Sequence, residues 1–500
     1  MRRRTFLGRA ALSVGALAGG ACRRRPRPPN ILVCISDDQS YPHAGAYGAG
    51  FVSTPGFDRV AREGVLFRNA FVSAPSCAPS RGSLLAGQDF YRLREAAMNH
   101  TIWPAGLETY PDILAEAGYV LGYTGKGWGP GDWKASGRSV SPVGQAYNEL
   151  ILEPPGAHLS KLDYARNFEA FLERVPAGAP FCFWVGFSEP HRPFEPGIGV
   201  RYGARLEQVR VPAFLPDTDV VRSDLADYAF EIGYYDSHLG RILAALEAAG
   251  ELERTIVVVT ADNGMAFPRA KATLYEAGIH VPLAIRWGER VRPGRVVDDL
   301  VSLIDLAPTF LEAAGLPLPP AMTGRSLLPL LEAGGSGRLD PSRDAIVAGL
   351  ERHFPGSRPR GAGYPMRAVR THEYLYIRNL TPERSPSGDR PGPAWPPDDP
   401  TGGFGDIDGG PSKTLLWEKR ADYPILARLA FSKRPTEELY RVTDDPDNLR
   451  NLADQPAFQE TRRLLAQRLE QYLERTLDPR ATGKGEFFDG VFERYPSVAG

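Results

Sequence analysis

Two apolar runs in this chain end in side-chain oxygens. ILVCISDD places Asp37 and Asp38 after one run, and IVVVTADNG places Asp262 and Asn263 after another. Four oxygen ligands with no thiolate or imidazole among them suit a hard cation, Ca²⁺ with Mg²⁺ as the alternative. Either pair alone is equally explained by an Asx turn or a helix N-cap following a strand. Their joint occurrence, with Cys77 between them in sequence, favours a shared cation site. Cys77 lies in SCAPSRGSLLAG, a Pro-flanked loop followed by a helix-like apolar run. A disulfide, a metal ligand, a buried filler and reaction chemistry are all open to it. Cys34 in NILVCIS and Cys182 in FCFWVGF sit in strand-like runs, where a free cysteine is a small buried hydrophobe. These three cysteines have no repeated spacing and frame neither a disulfide scaffold nor a zinc site.

For the oxygens to converge, the two runs must be neighbouring parallel strands whose C-terminal ends face one crevice. The rest of the chain supports that arrangement. TPGFDRVAREGVLFRNAFV and TYPDILAEAGYVLGYTGK each read as a helix followed by a strand. Phe181–Phe187 reads as a strand leading to Glu189-Pro190-His191, and residues 224–249 as a long amphipathic helix. VPLAIRW and a helix over residues 303–314 continue the alternation. The fold class is therefore α/β, with a large mixed, mostly parallel sheet sandwiched by helices. From residue 362 the texture changes. YPMRAVRTHEYLYIRNL alternates like an antiparallel hairpin, residues 382–411 are Pro/Gly/Asp-rich loop, and residues 456–476 form an amphipathic helix. The expected division is a catalytic domain over 30–361 and a smaller C-terminal α+β domain over 362–500.

Residues 1–29 stand apart as an export signal. An arginine-rich start precedes a short Ala/Gly/Leu run that is too short to span a bilayer. Arg3-Arg4-Thr5-Phe6-Leu7 resembles a twin-arginine signal, whose pathway carries folded proteins, and Cys22 is a candidate lipid-attachment site. The expected location is periplasmic or cell-surface, with membrane contact only through such an anchor. A formal net charge of −1 gives no support for a nucleic-acid partner.

CAPSRGSLLAG resembles the signature of the sulfatase family, Cys-x-Pro-Ser-Arg followed by Leu and Gly, on an alkaline-phosphatase-like fold. ADNGMAFPRAKATLYEAG, YPMRAVRTHEYLYIRNL and ELYRVTDDPDNLRNLA are most similar to its heparan N-sulfatase branch. The resemblance implies that Cys77 is oxidised to formylglycine by a separate formylglycine-generating enzyme, and that Asp37, Asp38, Asp262 and Asn263, with residue 77, hold Ca²⁺. A hydrated formylglycine offers two geminal hydroxyls, one to attack sulfur and one to expel sulfate afterwards; serine or cysteine has no second hydroxyl. By the same resemblance Arg81 holds the hydrate, Lys126 in TGKGWGP and Lys271 in PRAKAT bind sulfate oxygens, and His191 in EPHRPF protonates the leaving group. His353 in LERHFPG and Arg367 are the implied substrate contacts, and a sulfated saccharide is the implied substrate, N-sulfoglucosamine foremost.

Read from residue types alone, Lys126 and Lys271 are ordinary solvated lysines, and His191 and His353 ordinary structural histidines. Trp184 and Tyr228 read as core. The chain departs from the family pattern twice. Trp128 stands where relatives carry His two positions after the lysine, which bears on the choice between N- and O-sulfate. Ala277–Pro282 reads AGIHVP in place of GGIRVP, a packing difference. Rival readings are an O-sulfatase, a phosphonate or phosphate ester hydrolase on the same fold, an unmodified Cys77 thiolate, which wants a nearby His base, and a non-catalytic binder of sulfated glycans.

Overall fold

NILVCIS forms strand β1 (Asn30–Ser36), buried along its whole length. Ile31, Val33 and Ile35 enter one hydrophobic cluster while Leu32 and Cys34 enter another. Both faces of the strand are therefore covered, as its unbroken apolar run requires. The structure is a computed structural model that describes residues 27–394 and 396–491. Cys22 and almost all of the expected export signal lie outside the described residues.

The other strands of the main sheet are β2 (Val65–Phe71), β3 (Val120–Gly125), β4 (Gln145–Ala146), β5 (Phe181–Gly186), β6 (Thr255–Ala261), β7 (His280–Arg286), β8 (Arg295–Val297) and β9 (Val301–Ser302). Their order is β4-β3-β5-β1-β6-β7-β2-β8, with β9 beside β2. β4, β3, β5, β1 and β6 run parallel, and among the described strands of this sheet only β7 opposes both its neighbours. The reversal at β7 has a local cause. The chain leaving β6 stays at the same edge of the sheet through residues 262–279 and re-enters from there, so that this connection, with Lys271 in it, lies over the strand ends. The long helix Asp219–Ala248 begins five residues before its expected start, where the Thr218 hydroxyl accepts a hydrogen bond from the Val221 amide at 3.3 Å.

A second, antiparallel sheet follows in the order β10 (Ala345–Leu350), β11 (Met366–Thr371), β12 (Tyr374–Asn379), β13 (Glu437–Arg441), and the Gln459–Arg475 helix packs on it. The expected division at 361/362 lies between β10 and β11. β10 pairs with β11 from Ala345↔Thr371 to Leu350↔Met366, so the division falls inside a hairpin whose connection carries His353.

Gly125 and Gly186 meet where β3 and β5 end. A Cβ at Gly186 would lie 2.0 Å from the Lys126 carbonyl oxygen, so no side chain fits there without moving Lys126. Gly240, within the long helix, has no neighbouring atom within 4 Å of its Cβ position. Gly186→Ala should therefore destabilise the protein by about 1–3 kcal/mol, whereas Gly240→Ala should stabilise it by about 0.5–1 kcal/mol. Urea midpoints read both, and equal signs would contradict the close approach at Gly186.

Candidate active site

The parallel register brings the sequence motifs together. Ser36 pairs with Ala261 at the last position of β1 and β6, so Asp37-Asp38 and Asp262-Asn263 leave the sheet side by side. The Asp38 amide donates to Asp262 Oδ1 at 3.1 Å. One strand over, β5 ends at Gly186 and leads to Glu189 and His191, and β3 beyond it delivers Lys126. Four neighbouring parallel strand ends thus supply the floor of the site.

Cys77 enters from above. Contrary to the expected loop, it is the first residue of a helix, Cys77–Ala86, buried at every position. Pro79 stands in the first turn, where a missing N–H costs no helical hydrogen bond. Ser76 precedes the helix without capping it; its hydroxyl instead meets His353 Nδ1 at 2.8 Å. The cap is supplied by Asn99, whose Oδ1 accepts from the Ala78 amide at 2.9 Å. Cys77 Sγ lies 3.3 Å from Asp37 Oδ1 and 3.9 Å from Asp38 Oδ1. The positive end of the helix dipole therefore points at the carboxylates and favours an anion there.

Ligand atoms of Asp37, Asp38, Cys77 and Asp262 all lie within 4.8 Å of one another, and all four residues are buried. Each carboxylate turns its Oδ2 to a cation of the chain. Asp37 meets Lys126 Nζ in a short contact, Asp38 meets Lys271 Nζ at 2.7 Å, and Asp262 meets Arg81 Nε at 2.8 Å. Arg81 also donates from a terminal nitrogen to the Lys126 carbonyl at 3.1 Å, tying the nucleophile helix to the end of β3. Asp38 at φ 72° and Ala272 at φ 60° hold left-handed conformations on either side of the Lys271–Asp38 contact, a strain that the surrounding packing must sustain.

The ionisation states follow from these contacts. Burial works to raise the Asp37 carboxyl, but Lys126, His191, Arg81 and Lys271 outweigh it and hold the group well below its ordinary value. Burial raises Asp262 to about 6 against the pull of Arg81. Lys126 and Lys271 resist the cost of burial because Asp37 stabilises the first charge and Asp38 with Asp408 the second; both stand above the ordinary lysine value. Burial, and then the Asp37 carboxylate, push the Cys77 thiol well above its ordinary value. That environment opposes a thiolate and speaks against nucleophilic chemistry at an unmodified cysteine.

The donor set fits a hard cation. Asn263 Nδ2 donates to Asp38 Oδ1 at 2.7 Å, while the buried Asn263 Oδ1 has no hydrogen-bond partner. An amide oxygen and three carboxylates are oxygen ligands of the Ca²⁺/Mg²⁺ type. A thiol at position 77 is the one mismatched donor, and an oxygen there would complete the set.

His191 fixes its Nδ1 on the Arg192 carbonyl at 2.6 Å and turns Nε2 towards Lys271 Nζ at 3.4 Å and Asp38 Oδ2 at 3.8 Å. His353 belongs to the site's wall, between Ser76 and Asn99. Burial and Lys271 lower its pKa from the ordinary imidazole value. Arg367 is a correction. It is 1% exposed, and its guanidinium is held by Asp478 at 2.6 Å and Glu351 at 2.6 Å and stacks over Phe90. Two buried carboxylates, with the Met366 and Leu350 carbonyls on the remaining terminal nitrogen, leave it no donor for a substrate, and it serves to lock the second sheet. Trp128 packs edge-on against Trp103 at 5.0 Å and donates its indole N–H to the Gly131 carbonyl. In the AGIHVP stretch His280 stacks on Tyr41 and Phe71, which accords with a packing role.

Two participants escaped the sequence reading. Asp408 lies 3.1 Å from Lys271 Nζ; in sequence it is one of several aspartates in a Pro/Gly-rich loop. Asn99 carries no local motif at all, and only the fold brings it beneath the helix start.

Comparisons with known proteins agree with this geometry. The family model described as "Sulfatase" matches residues 29–316, and one described as "N-sulphoglucosamine sulphohydrolase, C-terminal" matches residues 269–378. The chain is 31% identical to human N-sulphoglucosamine sulphohydrolase over 95% of its length and 94% of the relative's. A solved structure of a protein in complex with its substrate D-glucosamine-2-N,6-O-disulfate superposes with TM-score 0.65 at 19% identity, covering 90% of this chain and 98% of that one. A putative sulfatase from Bacteroides fragilis gives TM-score 0.66 at 20% identity over 93% and 99%. These two likenesses establish the fold.

Two measurements test the assignments. Titrating the metal-stripped protein with Ca²⁺ should raise Tm saturably, by about 2.7 kcal/mol of stability at a hundred times Kd, and Asn263→Ala should weaken that shift. A flat titration would remove the cation site. Arg367→Ala should cost about 3–5 kcal/mol, since it leaves buried carboxylates unpaired, with KM unchanged. A raised KM at unchanged stability would restore Arg367 as a substrate contact.

Proposed function

The chain belongs to the sulfatase family and is a hydrolase of sulfated carbohydrates, and from that premise we propose that it removes the N-sulfo group of N-sulfoglucosamine through a formylglycine made from Cys77. The observation that carries this is the placement of residue 77. It opens a buried helix, 3.3 Å from Asp37, in an otherwise all-oxygen donor set. Support for the substrate comes from the likeness to human N-sulphoglucosamine sulphohydrolase along nearly the whole chain.

Asp37, Asp38, Asp262 and Asn263 would hold Ca²⁺, which supplies positive charge beside the sulfo oxygens and makes a neighbouring hydroxyl more acidic. Formylglycine at position 77 supplies, once hydrated, the two hydroxyls that the reaction uses in turn. The remaining work falls to the chain's own groups. Lys126 and Lys271 are charged and stand against different carboxylates, Asp37 and Asp38, where they hold the anionic sulfo oxygens and neutralise charge as the bond to sulfur breaks. Arg81 fixes Asp262 and the end of β3, which keeps the metal side and Lys126 in one geometry. His191 is oriented by its Nδ1 contact with the Arg192 carbonyl and turns Nε2 to the cluster, where a proton carried on that atom would reach a departing nitrogen or oxygen. His353 walls the site beside residue 77.

The proposal includes export to the periplasm or cell surface, for which the arginine-led N-terminus is the support, and modification of Cys77 by a formylglycine-generating enzyme beforehand. Protein recovered from the envelope fraction of its native host should carry residue 77 with sulfur and two hydrogens lost and one oxygen gained. An intact, alkylatable thiol in that fraction would overturn the nucleophile. Against matched substrates, N-sulfoglucosamine should be turned over faster than O-sulfated sugars and phosphodiesters. Inertness towards the sulfamate would overturn the substrate and leave an O-sulfatase.

A further inference from the structure

A cavity of about 310 Å³ is lined by Lys126, Asp37, His191 and Glu231, a size at the lower end of small-molecule sites. Glu231 lies on the long helix Asp219–Ala248, four residues after Asp227 and seven after Asp224, so the three acids share one buried face. The other two are fully occupied. Asp224 holds Arg192 in a bidentate pair at 2.9 and 2.7 Å, and Asp227 accepts from the amides of Gly197 and Gly199. Glu189, which also lines the cavity, accepts from the Ser160 amide at 2.7 Å and the Tyr164 hydroxyl at 3.1 Å. Glu231 differs from all of them. It is 2% exposed, yet it makes no hydrogen bond or ion pair with any described residue. Arg192, whose charge acts on it, has its guanidinium taken up by Asp224 and the Ala266 carbonyl.

A carboxyl group so placed destabilises the fold and receives nothing from the chain in return. It lines a cavity that also holds Lys126 and His191. We propose that Glu231 is a substrate-positioning residue, whose carboxyl group hydrogen-bonds neighbouring hydroxyls of the sugar ring that bears the sulfo group. Two oxygens of one carboxyl group match two adjacent ring hydroxyls, and a buried polar group left unpaired by an analogue lacking them discriminates strongly against it. This inference rests on the saccharide reading above and adds the contact that selects a hydroxylated ring, as opposed to any sulfated group.

The test is a cycle between residue and substrate. Glu231→Gln and Glu231→Met are assayed with N-sulfoglucosamine and with analogues from which one ring hydroxyl has been removed. Each change alone should lower kcat/KM about ten- to a hundredfold, mostly through KM. For the hydroxyl that Glu231 reads, the two together should lower it no further than either alone. Glu231→Met should also keep or raise Tm, because an unpaired buried carboxyl is replaced by an apolar group of similar length. Independent, multiplicative losses at every hydroxyl, or unchanged kinetics in both variants, would overturn the proposal. So would a fall in Tm that tracks the loss of activity, which marks a structural role. If the wild-type protein turns over no sugar sulfamate or sulfate at all, the saccharide reading itself has failed, a result distinct from additive losses in an active enzyme.

Discussion

Three buried carboxylates within one ligand shell repel one another, and the site exists because three cations of the chain stand against them. Asp37, Asp38 and Asp262 face Lys126, Lys271 and Arg81 one to one. Each cation arrives on a different element: the end of β3, the connection between β6 and β7, and the helix that begins at residue 77. Assembly of the charge cluster is thus inseparable from assembly of the sheet edge. Breaking one buried pair would strand a charge with no water to solvate it, which costs far more than the pair contributes when intact. The same neutrality serves the chemistry. An anionic sulfo group can approach only because fixed positive charge is already in place, oriented before the substrate arrives.

The parallel register is the second condition. β1 and β6 end at the same level, and the tight approach of β5 to the chain beyond β3 at Gly186 sets the level of Lys126. The reversed direction of β7 keeps residues 262–279 at the reactive edge, where the Ala272 amide donates to the Pro75 carbonyl at 2.9 Å and closes the segment over the start of the Cys77 helix. The second sheet contributes by position. The hairpin between β10 and β11 brings His353 beside Ser76, and the long loop that follows brings Asp408 to Lys271. A boundary drawn between the domains in sequence therefore cuts through the wall of the site.

What was legible in the sequence was whatever depends on neighbours along the chain. The apolar runs that end in Asp37-Asp38 and Asp262-Asn263, the cysteine ahead of Pro79 and Arg81, and the helix–strand alternation are local patterns. They were enough to give the fold class, the oxygen donors and the family resemblance. The position of residue 77 as the first residue of a helix was missed because Pro79 reads as a loop signal, although a first helical turn tolerates it. Arg367 illustrates the opposite error: an arginine in a family-like stretch looks available for substrate until Asp478, distant in sequence, is seen to hold it.

Sequence alone determined the chemistry on offer: hard oxygen donors, a cysteine within a family-like signature, lysines and a histidine at strand ends. Tertiary structure alone decided which of these meet, since pairing between β1 and β6 joins residues more than two hundred positions apart. It also decided which charges are satisfied. Asn99 became a cap, Asp408 a partner of Lys271, Arg367 a lock, and Glu231 a buried carboxyl facing the cavity. Burial and pairing are properties of surroundings, and surroundings are set by chain segments that no local pattern connects.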